Sequence, residues 1–149
     1  MKFASRIPFF ILGLAACNSA ATGPRTLGYT AVANVVTQVP TQVELHGTIR
    51  NDGSQSFTIH TGACSVGYRL YSYSVVQSLA SPVYEFNPTS ELCIAIAYQK
   101  TLAPGDEYAM NSGPLTLSGV VAPGPYEIRV TMYHDGVVGE ASAGQISIQ

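Results

Sequence analysis

Tryptophan is absent from this chain, charged residues fill only 11% of its 149 positions, and there are just three cysteines. Each shortage excludes something. Soluble domains average about 25% charged residues, and nucleic-acid binders need clustered Lys and Arg to neutralise phosphates. Of the seven basic residues here, Lys2 and Arg6 lie at the amino end, and Arg25, Arg50, Arg69, Lys100 and Arg129 stand singly among nine acidic residues. That distribution argues against a nucleic-acid partner. The apolar run Phe9–Ala16 is too short to cross a bilayer as a helix. From Tyr29 onward no segment carries helical periodicity, and no internal repeat of fixed period is present.

What is present is β-prone and turn-rich. Fourteen Gly and nine Pro punctuate runs of Val, Ile, Thr and Tyr, the composition of short strands and tight turns. The clearest strand is Val43–Asn51, with Val43, Leu45, Gly47 and Ile49 to one side and Glu44, His46, Thr48 and Arg50 to the other. A second strong alternation sets Tyr126, Ile128, Val130 and Met132 against Glu127, Arg129, Thr131 and Tyr133. Further strands are expected at Tyr29–Val39, Ser56–Thr61, Val66–Ser74, Val83–Phe86, Cys93–Lys100, Glu107–Met110 and Ala141–Gln149. Asn51-Asp52-Gly53-Ser54 reads as a tight hairpin turn with Gly53 at positive φ, and His134-Asp135-Gly136 as another. The fold expected is an all-β, immunoglobulin-like Greek-key sandwich of about seven to nine strands, over 29–149.

The amino end reads differently. Lys2 and Arg6 precede an apolar run that closes on Leu14-Ala15-Ala16-Cys17. These four residues resemble the lipobox of bacterial lipoprotein signal peptides. The resemblance implies cleavage after a leader of residues 1–16, acylation of Cys17 and a mature chain of 133 residues. Two or three acyl chains hold a protein stably on a membrane where one does so only reversibly. Asn18, not Asp, follows Cys17; by resemblance to lipoprotein sorting this implies delivery to an outer membrane, on its periplasmic side or at the cell surface, where the cell has one. Residues 17–28 are small and polar and read as a flexible tether.

Cys64 and Cys93 remain once Cys17 is assigned to lipid. In an exported protein two such cysteines point to one disulfide, whose 29-residue span is worth roughly 3–4 kcal/mol in the chain-entropy account. Catalytic and metal constellations are wanting. Gly62-Ala63-Cys64-Ser65-Val66-Gly67 comes near the Gly-x-Ser-x-Gly nucleophile elbow but has Ala at position 63, and no helix follows it. His46, His60 and His134 have no ligand spacing, although a Val43–Thr61 hairpin brings His46 and His60 side by side. No cofactor, no metal and no catalytic residue is therefore expected. Arg69, Tyr71 and Tyr73 share one strand face, opposite Tyr68 and Leu70, and belong to the residue types that binding hot spots favour; they form the candidate contact patch.

Three further motifs, Ile49-Arg50-Asn51, Leu102-Ala103-Pro104-Gly105-Asp106 and Pro123-Gly124-Pro125-Tyr126, lie over about residues 40 to 135. They resemble the immunoglobulin-like intracellular proteinase inhibitor (BsuPI-type) family and lipoproteins similar to it. The Trp which that family carries after its Pro-Gly turn is missing here. The resemblance implies a sandwich in which Tyr126 acts as a tyrosine corner, tied to upstream backbone. It also implies, as an alternative to a non-enzymatic binding or structural module on the envelope, a proteinase inhibitor that presents a loop such as Asn111–Val121.

Overall fold

The structure is a computed structural model, and it describes residues 26–73, 81–88 and 97–149. The leader, Cys17, most of the tether and Cys93 lie outside the described residues. Among those residues are nine strands: β1 (Leu27–Gln38), β2 (Thr41–Asn51), β3 (Phe57–Gly62), β4 (Val66–Ser72), β5 (Tyr84–Phe86), β6 (Ala97–Leu102), β7 (Glu107–Thr116), β8 (Gly124–His134) and β9 (Val137–Ile148). All pair antiparallel, in a sheet β1-β2-β7, a ribbon β3-β6 and a sheet β5-β4-β8-β9. The fold is an all-β sandwich.

Its core follows from the two alternating strands. Val43, Leu45 and Ile49 of β2 and Ile128, Val130 and Met132 of β8 are all fully buried. They close on Ile59, Tyr68, Leu70, Leu102, Leu117, Ile146 and Ile148. Each such side chain removed from water contributes about 1.5–3 kcal/mol. Gly47 takes its place on the inward face of β2 because the sheets approach closely there: a Cβ would lie 2.7 Å from Met132 Cγ and Sδ.

Several expectations are corrected. β2 and β3 do not form a hairpin: β2 pairs with β1 and β7, and β3 pairs with β6. Gly53 is not among the glycines of positive φ. The turn is instead built by Asn51, which is fully buried. Its side-chain oxygen accepts from Gly53 N (2.9 Å), and its Nδ2 donates to the carbonyls of Gln55 (2.9 Å) and Leu102 (3.1 Å). This Asx-type turn sends the chain out of the first sheet. β1 begins at Leu27, so the last two residues of the expected tether are strand. β7 runs on to Thr116, with a register shift against β2 between Glu44 and His46 and with Gly113 at φ +69°. Asn111 and Pro114–Thr116 are thus laddered to β2, with Ser112 and Gly113 in the register shift, and Leu117 beyond them is fully buried. β5 is the expected short edge strand.

Candidate functional site

β4 pairs with β5 on one side and β8 on the other, in a register that sets Arg69 opposite both Glu85 and Arg129. Because side chains alternate along a strand, the inward placement of Tyr68 and Leu70 turns Arg69 and Tyr71 outward. Two guanidinium groups directly opposite one another repel, so the face holds together only through its carboxylates. Glu140, from β9, lies between them: Arg69 Nη1 donates to its Oε2 (2.6 Å) and Arg129 Nη1 to its Oε1 (3.3 Å). Arg69 Nη2 reaches Glu85 Oε1 at 3.0 Å, and Arg129 Nε reaches Glu127 Oε1 at 2.8 Å. The result is a ladder across four strands, Glu85–Arg69–Glu140–Arg129–Glu127.

Three of its groups are held in their charged forms by these bonds. The hydrogen bonds that Arg69 donates to Glu85 and then to Glu140, against the opposing effect of burial, raise its pKa further. Arg129 is raised chiefly by Glu127. Glu127 is lowered by its bond to Arg129, which outweighs its burial. A carboxylate held in this way is an acceptor already in use, far from the near-neutral poise of a general acid. Arg129 also lies 4.6 Å from the centroid of the Tyr71 ring, a cation–π contact. Of the candidate patch, the structure brings Arg69 and Tyr71 together, both already engaged. Tyr73 sits one residue past the end of β4, about half exposed.

A second polar cluster lies where the β8–β9 turn meets β3. His60 N and Nδ1 are 3.0 and 2.8 Å from Asp135 Oδ1, and His60 Nε2 is 3.1 Å from Gln99. His134 is buried, and its Nε2 shares a hydrogen bond of 2.9 Å with the Tyr29 hydroxyl. A depression of about 390 Å³ opens here, lined by His60, Cys64, Ser65, His134, Asp135 and Val138 among others. Its hydroxyl is not poised for attack: Ser65 Oγ accepts from Gly62 N (2.7 Å) and donates to Gly62 O (2.5 Å), closing the β3–β4 turn. His46, on β2, is in another sheet from His60, so the pairing expected of them does not occur. No group of three or more His, Cys, Asp or Glu among the described residues is arranged to hold a metal ion.

Tyr126, at the start of β8, donates its hydroxyl to the Ala122 carbonyl four residues upstream, at 2.7 Å. Cys64 lies half-buried in the β3–β4 turn. Sequence reasoning missed the three carboxylates of the ladder and the Asp135 grip on His60. The alternation does put Glu127 and Arg129 on one outward face. Glu140, however, is 71 positions from Arg69, and only the strand order brings them together.

No family model matches the chain, and no curated protein does. Among solved structures it is similar to parts of bacterial β-glucosidases. For a novel β-glucosidase from Erythrobacter marinus the TM-score is 0.46 at 14% identity, over 84% of this chain and 16% of that one. For β-glucosidase 3B from Thermotoga neapolitana in complex with glucose it is 0.40 at 14% identity, over 85% and 17%. For a β-glucosidase from Listeria innocua in complex with glucose it is 0.39 at 16% identity, over 81% and 16%. The chain thus spans about a sixth of the length of each of these enzymes.

Proposed function

We propose that this chain is a lipid-anchored β-sandwich of the bacterial cell envelope that works as a binding or structural module, without catalysis of its own. The observation that carries the reading is Leu14-Ala15-Ala16-Cys17 behind Lys2, Arg6 and a short apolar run. Nine residues, ten Cα–Cα steps, separate Cys17 from Leu27, where β1 begins. Fully extended, they reach about 35 Å, so an acylated Cys17 keeps the sandwich close to the bilayer surface. A Cys64–Cys93 bridge belongs to the same reading, since an exported compartment allows such a bond. The ladder suits the role too, since it makes the outer face of this sheet polar, with Tyr73 about half exposed just past the end of β4.

The test is intact-mass analysis of the protein recovered from cell envelopes, beside a Cys17→Ser variant. The expected product begins at Cys17 and carries acyl mass; the variant carries none and leaves the membrane fraction. An unlipidated chain recovered free in the soluble fraction overturns the proposal. The proteinase-inhibitor alternative rests on the family resemblance alone, and a protease panel with the purified chain at micromolar concentration decides it.

A further inference from the structure

β6 and β7 are consecutive strands joined by residues 103–106, yet they do not pair: among the described residues β6 bonds to β3 alone and β7 to β2 alone. Antiparallel strands joined by so short a loop ordinarily form a hairpin. Asn51 prevents it here. At the turn its Nδ2 donates to the Leu102 carbonyl (3.1 Å) and its backbone N–H to the Asp106 carbonyl (3.0 Å), so it takes up both strand ends. Beyond the turn each strand keeps one edge of main-chain N–H and C=O groups without a strand partner.

A depression of about 260 Å³ opens here. Tyr98 of β6 and Tyr108 and Asn111 of β7 line it, together with Ser65 and the buried Val66 and Met110. Tyr98 is half-exposed and Asn111 exposed. The Tyr108 hydroxyl lies 3.5 Å from that of Thr61, whereas the side chains of Tyr98 and Asn111 have no hydrogen-bond partner among the described residues. None of the described lining side chains is charged. A charged ligand would therefore give up water with nothing to pair it. A wholly apolar one would cover amide and hydroxyl groups without bonding them. The complementary molecule is a ring with an apolar face and a rim of hydroxyls. The volume lies below the roughly 300–1,000 Å³ of a drug-sized site, so there is room for one such ring. An added peptide strand suits the place less, because the β7 edge begins at Glu107 and is broken by Gly113, at φ +69°, and Pro114.

We infer that this depression binds a neutral sugar, one pyranose ring at a time. The C–H face of the ring lies against the tyrosines, which present an apolar body and a polar tip. Its hydroxyls, each both donor and acceptor, are met by the Asn111 amide, which also offers both. With no carboxylate among the described lining residues, nothing there is placed to cleave a glycosidic bond, and the ring is held unchanged. The site needs neither an acylated Cys17 nor a membrane, so recovery of an unlipidated chain would leave it standing.

Amide correlation spectra of the purified chain carrying Cys17→Ser, titrated with the methyl glycosides of glucose, galactose, mannose and N-acetylglucosamine to about 50 mM, test this, since one small ring binds in the millimolar range. At least one glycoside is expected to give saturable shifts at Tyr98, Tyr108 and Asn111 and none at Val137. Cyclohexanol, a ring without the rim of hydroxyls, should shift none of them. Tyr98→Ala and Asn111→Ala should each weaken the glycoside about fivefold or more, while Tyr73→Ala, at a tyrosine equally exposed beyond β4, leaves it unchanged. Near-UV circular dichroism checks that each variant is folded, and Tyr98→Leu replaces Tyr98→Ala if the latter unfolds. The absence of saturable shifts with all four glycosides overturns the inference. So does an equal response to cyclohexanol, or a titration that Tyr98→Ala and Asn111→Ala leave unmoved. A blocked valine–threonine pentapeptide that shifts the same amides where the glycosides do not would overturn it too, in favour of an added strand.

Discussion

Two connections in this chain look alike in sequence and do opposite things. Between β2 and β3 stands Asn51-Asp52-Gly53-Ser54; between β8 and β9 stands His134-Asp135-Gly136. The second is a hairpin. Asp135 and Gly136 both adopt positive φ (47° and 74°), and His134 pairs with Val137 across a two-residue turn, the geometry whose twist matches the flanking strands. The first is a crossing. Asn51 turns inward, and its backbone and side chain together bond Gly53, Gln55, Leu102, Gly105 and Asp106. An Asx residue followed by glycine therefore does not by itself specify a hairpin. What decides is whether its side chain stays at the surface or is buried to satisfy carbonyls from another part of the chain.

The largest effect is expected where that burial is undone. Asn51→Ala removes three side-chain hydrogen bonds, the one to the Leu102 carbonyl being buried. At about 1 kcal/mol for each bond, the loss is about 3 kcal/mol, or roughly 10 °C in Tm for a domain of this size. Asn51→Asp keeps the acceptor for Gly53 but turns a carboxylate toward two carbonyls, and it should cost at least as much. A loss below about 1 kcal/mol in thermal unfolding would deny Asn51 its part as the pivot. At the hairpin, Gly136→Ala places a Cβ at φ +74° and should cost about 1–2 kcal/mol, with the β8–β9 pairing kept in hydrogen exchange. Tyr126→Phe, at the other end of β8, forfeits the bond to Ala122 and should cost about 1 kcal/mol.

The same comparison explains how much was legible. β2 and β8 declare themselves because one face of each is wholly core, so their alternation is clean. The passage from β2 to β3 misleads because turn residues report that the chain bends, not which strand it pairs with next. β7 extends beyond its expected end at Met110 because Gly113-Pro114 looks like a break. In fact it lies on an edge strand, where a proline costs no ladder bond and a glycine accommodates the register shift. The ladder was half legible: Arg69 and Tyr71 fall on one face by alternation, but their carboxylate partners come from β5, β8 and β9, whose order no local pattern encodes. Asn51 stood in a recognisable motif, yet its burial depends on Leu102, 51 positions away.

Acid provides the smallest effect and separates the two connections in another way. Asp135, in the hairpin turn, has its pKa lowered: burial acts to raise it, but the hydrogen bonds from the His60 side chain and backbone prevail. The carboxylate is therefore more acidic folded than unfolded, so its contribution is fully present above the unfolded value of about 3.9. It is lost as pH falls through the lower folded value. Glu127 in the ladder behaves with the same sign, its bond to Arg129 being the main cause. Denaturant unfolding from pH 6 down to about pH 2 should show stability declining from about pH 4. Asp135→Asn and Glu127→Gln should each flatten that decline by less than one proton's worth of slope. If the Asp135 bond to His60 is what clamps the hairpin onto β3, Asp135→Asn should also speed exchange at the His60 amide, which donates to that carboxylate. The Asn51 amides should be unmoved, because the pivot holds its partners through uncharged groups. Faster exchange at both places would mean that the crossing and the hairpin open as one unit, and that the division between them ends at the turn chemistry.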